Sequence, residues 1–292
     1  MKPLSYILVS ILILFLVSCS EPLGLIAEDV EREAAIQAEL EVGQLVVMTL
    51  STTFTESEEP IFPNEEQISI PNRPMLSNIT TGEQVTLRNQ INSRKWITES
   101  FLFGPGESLT LQANLESVGL TQIFATTTVP FPGEITSHSE IAIDSGDTYD
   151  FSIELSQPEL EDNVYHVKPF LAESANSNDI EYFDFSVNSI GESTMFRPSH
   201  LAGILIDIDR TDNMRQFDFS INKSELSSNP SNIYLKVMTV TKEYYDYHRS
   251  VSLQTTSSQG PFEEPVPIVS NIERGQGLFS ASTVTLDSIR VE

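Results

Sequence analysis

The sequence is short of thiols, of positive charge and of uninterrupted hydrophobic runs, and each shortage removes a class of protein. Cys19 is the only cysteine among 292 residues, which excludes a disulfide framework and a thiolate metal cluster. Lys and Arg number 16 against 42 Asp and Glu, for a formal net charge of −26. A chain this acidic lacks the clustered basic surface that nucleic-acid phosphates require. Beyond residue 17 no apolar run approaches the roughly 20 residues a membrane-spanning helix needs. Catalytic signatures are missing as well. No G-x-S-x-G elbow, H-E-x-x-H helix or phosphate-binding glycine loop occurs, and Gly191-Glu192-Ser193 lacks the second glycine of an elbow. What the chain does have is 16 Phe and 8 Tyr, enough for a packed core.

The N-terminus carries the most specific signal. Lys2 precedes an apolar stretch from Leu4 to Val17, followed by Ser18, Cys19 and Ser20. A positive start, a short apolar segment and small residues before a cleavage point make a secretory signal. Leu16-Val17-Ser18-Cys19 resembles a bacterial lipobox, in which the cysteine sulfur takes a diacylglycerol before cleavage ahead of it. The lone cysteine stands where that chemistry needs its nucleophile. Residues 1–18 are therefore read as a lipoprotein signal peptide, Cys19 as the lipidation site, and the membrane partner as a bilayer holding the acyl chains. Each buried CH₂ contributes roughly 0.8 kcal/mol, so two or three chains anchor stably. Ser20 in place of aspartate is compatible, by resemblance to lipoprotein sorting, with transfer to the outer membrane. Glu21-Pro22 interrupts any acidic export run, so the periplasmic and surface faces both remain open.

Residues 19–35 read as a tether, and beyond them the dominant period is two. Ile36, Ala38, Leu40 and Val42 alternate with polar residues, as do Leu109 to Leu115, Phe151 to Leu155, Phe183 to Val187 and Phe217 to Ile221. Such alternation marks strands with one face on a core and one in water, the pattern of antiparallel sandwiches. The fold class expected is all-β: two β-sandwich-like domains, of immunoglobulin or fibronectin kind, with one short helix in the second. Val129-Pro130-Phe131-Pro132-Gly133 stiffens the chain and ends pairing, placing the domains at 36–132 and 133–292. The helix is predicted from Lys242 to about Leu253, capped by Thr241. Tyr244, Tyr247 or His248, and Val251 share one face that docks it on a sheet.

Chemistry-bearing clusters are sparse. Asp207 and Asp209 fall on one face of a strand with Asp212 in the next turn, an oxygen-rich grouping of the kind Ca²⁺ takes. The EF-hand glycine and distal glutamate are absent, so calcium binding stays open. Asp144, Asp147 and Asp150 form a similar turn. The four histidines, His138, His166, His200 and His248, lie far apart in sequence, and His166 beside Lys168 reads as a surface residue. No catalytic, cofactor-binding or metal-ligating residue is assigned.

The C-terminal region carries sharper motifs. Tyr244-Tyr245-Asp246-Tyr247 is followed by Gly260-Pro261-Phe262-Glu263-Glu264-Pro265-Val266 and then by Ser270-Asn271-Ile272-Glu273-Arg274-Gly275-Gln276-Gly277-Leu278-Phe279. Together they resemble the Gram-negative lipoprotein family known as domain of unknown function 4249. Pro105-Gly106-Glu107 with Leu109, Ala125 to Pro130, and Asn163 with Tyr165 are similar to it upstream. Physically the motifs read as structural. Gly275 and Gly277 flank a turn where a side chain would collide or φ must be positive. Asn271 satisfies backbone groups there, and Phe262 and Phe279 plug the core. The resemblance implies an outer-membrane lipoprotein accompanying a TonB-dependent transporter, as an accessory or substrate-capturing partner. The lipobox, the acidic all-β body and the missing catalytic motifs lead us to expect a non-enzymatic protein without a cofactor. An adhesin or envelope scaffold, and a glycan or peptide hydrolase with unlocated carboxylates, are the alternatives.

Overall fold

Alternation along the chain becomes strand after strand in the computed structural model, which describes residues 33–53, 72–90, 95–139, 141–144, 146–155, 164–171, 180–182, 185–187, 194–208, 216–226, 231–257 and 266–291. Arg32–Glu292 form one compact unit. The first strands are β1 (Ala34–Glu41), β2 (Val46–Thr52), β3 (Met75–Asn78), β4 (Gln84–Thr86), β5 (Arg88–Asn89), β6 (Lys95–Thr98), β7 (Ser108–Ala113) and β8 (Ile123–Thr128). Next come β9 (Ile135–His138), β10 (Ile141–Asp144), β11 (Thr148–Leu155), β12 (Val164–Leu171), β13 (Glu181–Tyr182), β14 (Ser186–Val187), β15 (Thr194–Phe196), β16 (Ile204–Asp207) and β17 (Gln216–Asn222). The chain closes with β18 (Asn232–Val240), helix α1 (Lys242–Ser257) and β19 (Gly275–Val291). The fold is all-β, as the sequence predicts. No helix among the described residues is long and apolar enough to cross a membrane.

Two sheets enclose the first core. One pairs β19, β1, β2, β6 and β5 in that order; the other pairs β4, β3, β7 and β8. Ile36, Ala38 and Leu40 of β1 meet Leu109 and Leu111 of β7 and Ile123 of β8 inside. Because successive strand residues point to opposite faces, Gln37 and Glu39 are turned outward by the same geometry. A second core lies between β18, β12 and β16 on one side and β11 and β17 on the other. Phe151 and Phe219 are register partners there, and their rings stack at 5.5 Å. Such a pair contributes about 0.5–1.5 kcal/mol beyond burial alone.

β19 joins the two cores. Gly275 to Ser282 run parallel to β1, and Ser282 to Arg290 run antiparallel to β18. Phe279 and Ala281 fill the first core and Ile289 the second. The sequence boundary at 132 falls between β8 and β9, yet the last strand completes the sheet that the first strand begins. Gly133 ties this connection down: its N–H donates to Thr239 Oγ1 at 2.8 Å and its carbonyl accepts from Thr285 Oγ1 at 2.9 Å. The tether expected through residue 35 ends slightly earlier, since β1 already pairs at Ala34.

Gly275 and Gly277 do not flank a turn. The turn lies one residue upstream, at Arg274 with φ of 61°, and both glycines are in β19 against β1. Asn271 does meet backbone groups. Its Nδ2 donates to Phe279 O at 2.7 Å and its Oδ1 accepts from Phe279 N at 2.9 Å, so one side chain substitutes for a neighbouring strand. Asn271→Ala leaves both groups without a protein partner and should cost about 1–2 kcal/mol, read as a lower urea midpoint at unchanged slope. Wild-type stability in this variant would show that water replaces the amide at no cost. Phe262 and the G-P-F-x-E-P segment lie outside the described residues.

Candidate functional site

Helix α1 covers the face of the β12–β18–β19 sheet opposite the second core. Tyr244, His248 and Ser252 recur every four residues and form one buried stripe, at 2%, 0% and 4% exposure. Leu205, Met238, Val240 and Leu278 pack against it with Tyr245. The helix starts where predicted and runs one turn further, to Ser257. Thr241 accepts from Tyr244 N through its Oγ1 at 3.4 Å and from Tyr245 N through its carbonyl at 3.3 Å. The aromatic stripe docks the helix on a sheet, as expected.

The helix changes what β12 can hold. A strand sandwiched between a second sheet and a helix has no solvent face, so Val164, Tyr165, His166 and Val167 are all buried. The expectation that His166 sits on the surface is therefore overturned; it is 0% exposed. Its Nε2 lies 2.8 Å from Ala202 O, and its Nδ1 lies 2.9 Å from Tyr244 Oη. A carbonyl only accepts, so Nε2 carries the hydrogen. Burial, then the nearby Lys168 charge, holds the imidazole well below the ordinary histidine value, so Nδ1 is free to accept from the Tyr244 hydroxyl. Burial likewise pushes the Tyr244 phenol well above its ordinary value and keeps it a donor.

A second chain of polar groups runs through His200, which is exposed. Ser252 Oγ lies 3.3 Å from His200 Nδ1, and His200 Nε2 lies 2.9 Å from His248 Nδ1. His248 Nε2 faces Glu39 Oε1 of β1 at 3.5 Å, long for a hydrogen bond but within ion-pair range. Burial raises the Glu39 carboxyl, but His248 and Gln37 outweigh it and bring it below its ordinary value. With an ionised acceptor at one end, one orientation satisfies the chain: Ser252 donates to His200, His200 to His248, and His248 points its N–H at Glu39. Ser252 Oγ also accepts from Ser199 N at 3.0 Å. Three of the four histidines thus gather under or beside α1; His138 stands apart on β9, 3.0 Å from Asp287. Among the described residues no group of three or more His, Cys, Asp or Glu side chains is arranged to hold a metal.

Beside this network lies an open groove of about 380 Å³, floored by Gln37, Thr49, Ser51 and Gln276 and walled by Tyr247 and Ile268. It adjoins the histidine chain through two contacts. Gln37 Nε2 donates to Glu39 Oε1 at 3.0 Å, and the Tyr247 ring meets His248 edge-on at 5.2 Å.

The remaining sequence candidates fall elsewhere. Asp207 accepts from Lys242 Nζ at 2.7 Å, so one carboxylate of the proposed calcium grouping is engaged by a cation. Asp209, Asp212 and Cys19 lie outside the described residues. Asp150 accepts from Ser220 across the β11–β17 pair. Glu39, Ser252 and the pairing of His200 with His248 have no motif in the sequence. The one available signal was polar tips at four-residue spacing on a buried helix stripe, since buried polar groups require partners.

Two sandwiches built around a shared strand, with a helix docked on the joining sheet, define an all-β protein of tandem-sandwich type. The chain belongs to the family described as "Domain of unknown function (DUF4249)", whose model matches residues 29–288. No curated protein matches it.

Proposed function

We propose that the protein is an outer-membrane lipoprotein, anchored through acyl chains on Cys19, that acts as a non-enzymatic accessory or substrate-capturing partner of a TonB-dependent transporter. The lipobox-like Leu16 to Cys19 segment supports the anchor. Capture rather than catalysis is supported by one contrast at the site. The Ser252 hydroxyl, the only candidate nucleophile on the histidine chain, is 4% exposed and held by His200 and the Ser199 amide. A serine hydrolase needs that oxygen free beside a substrate carbonyl and an oxyanion pocket. The open groove at the other end of that chain, beside Glu39 and His248, instead presents uncharged side chains to solvent.

Two measurements test this reading. Cells fed a palmitate analogue should label the wild-type protein and not Cys19→Ala; label retained in the variant overturns the anchor. Gentle solubilisation of outer membranes should recover the protein with a transporter, and recovery free of any transporter overturns the partnership.

A further inference from the structure

We propose that the groove beside α1 binds a neutral, polyhydroxylated ligand of the oligosaccharide class, an inference that rests on the capture reading above. The first ground is the chemistry of the floor. Ala35 of β1 pairs with Ser51 on one side and Gln276 on the other, and Gln37 pairs with Thr49. The outward side chains therefore stand on a lattice of about 4.8 Å across strands and about 6.6 Å along them. The hydroxyls of Thr49, Ser51 and Tyr247 have no hydrogen-bond partner among the described residues. Each glutamine commits one of its two N–H groups, Gln37 to Glu39 at 3.0 Å and Gln276 to Glu33 at 2.9 Å. That leaves on each amide a carbonyl, which accepts, and one N–H, which donates, beside hydroxyls, which do both. A ligand rich in hydroxyls matches that set.

The second ground is charge. Among the described residues no lining side chain is ionisable near neutral pH, in a chain of net charge −26, and the flanking carboxylates of Glu33 and Glu39 repel an anion. The third is shape. Tyr247 and Ile268 stand at the wall, an aromatic and an aliphatic surface for the C–H face of a sugar ring. An extended peptide cannot add to β1 here, because β1 is paired on both edges, with β19 and with β2.

The test uses the full-length protein in a sugar-free detergent, titrated calorimetrically with neutral α- and β-linked glucose hexasaccharides and with a hexagalacturonate. Saturable binding of at least one neutral sugar is expected, at least about tenfold tighter than the uronate. Tyr247→Ala should weaken it about tenfold or more, and Thr49→Val with Ser51→Ala should weaken it while leaving the melting temperature within a few degrees. The double variant removes only outward hydroxyls, so it keeps the test valid if Tyr247→Ala loosens the helix. Absence of binding by every neutral sugar, equal affinity for the uronate, or unchanged affinity in the hydroxyl variant each overturns the proposal. Copurification with a transporter is scored separately. A transporter without sugar binding overturns the ligand class alone, and sugar binding without a transporter overturns the partnership alone.

Discussion

Gly277→Ala is expected to remove a large part of the stability of the whole body, roughly 2–5 kcal/mol, from one added methyl group. Gly277 has φ of +116° and pairs with Ile36 of β1. A Cβ built there lies 1.8 Å from Ile36 O and 2.8 Å from Ile36 C, both backbone atoms that no rotamer change can move. Two costs combine. A side chain at positive φ is worth about 1–2 kcal/mol of strain, and forcing an atom into packed structure typically adds about 1–3 kcal/mol. The only relief is to part β1 from β19, and that pairing joins the first strand to the strand both cores share. Against a typical total of about 5–15 kcal/mol, the loss is severe. A fall of about 4–20 °C in melting temperature should follow, with a matching drop in urea midpoint. Gly43→Ala is the control. Its φ is +81° but no atom lies within 4 Å of the added Cβ, so it carries the strain without the collision. Equal losses in the two variants would sink the close-approach argument and leave only backbone strain.

How much of this was legible beforehand depended on whether each strand kept a wet face. β1, β11 and β17 alternate because one side meets solvent, and their parity could be read directly. β12 reads V-Y-H-V-K-P-F-L, and no period survives where a helix covers one face and a sheet the other. His166 was misplaced for that reason. The helix was legible because Thr241 and the Tyr244 spacing are local signals. By contrast, β19 gives each half of itself to a different core, and nothing within seventeen residues announces which neighbour each half will find. The division near Gly133 has the same character. Proline and glycine do mark a break in pairing, but they carry no information about a strand returning more than a hundred residues later. The site was least legible of all. Glu39, His200 and His248 come from a strand, a loop and a helix, and only folding brings their polar atoms within 3.5 Å.

That burial makes stability depend on pH between neutrality and mild acid. His166 has a folded pKa well below its ordinary value, chiefly from burial and then from Lys168, while in the unfolded chain it titrates near 6.5. Below about 6.5 the unfolded state therefore binds a proton that the folded state refuses, and folding loses about 1.4 kcal/mol per pH unit until the folded pKa is reached. Above 6.5 the contribution is fully present. His200 shifts in the same direction, through burial and His248, and adds to the same window. Glu39 acts later. Its folded pKa lies below the unfolded value, so its stabilisation is lost only as pH falls beneath about 4.5. The groups that face His166 hold the imidazole neutral from three elements: Lys168 on its own strand, Lys236 on β18, and Tyr244 and His248 on α1. Urea unfolding at half-unit steps from pH 7.5 to 5 should show a midpoint that is flat above 6.5 and then declines. His166→Gln keeps an amide donor for Ala202 O but cannot take a proton. It should start lower at pH 7.5, because Tyr244 loses its acceptor, yet decline less steeply than wild type below 6.5. A variant that starts lower and declines in parallel with wild type would place the titrating group elsewhere, leaving His166 a packing residue alone.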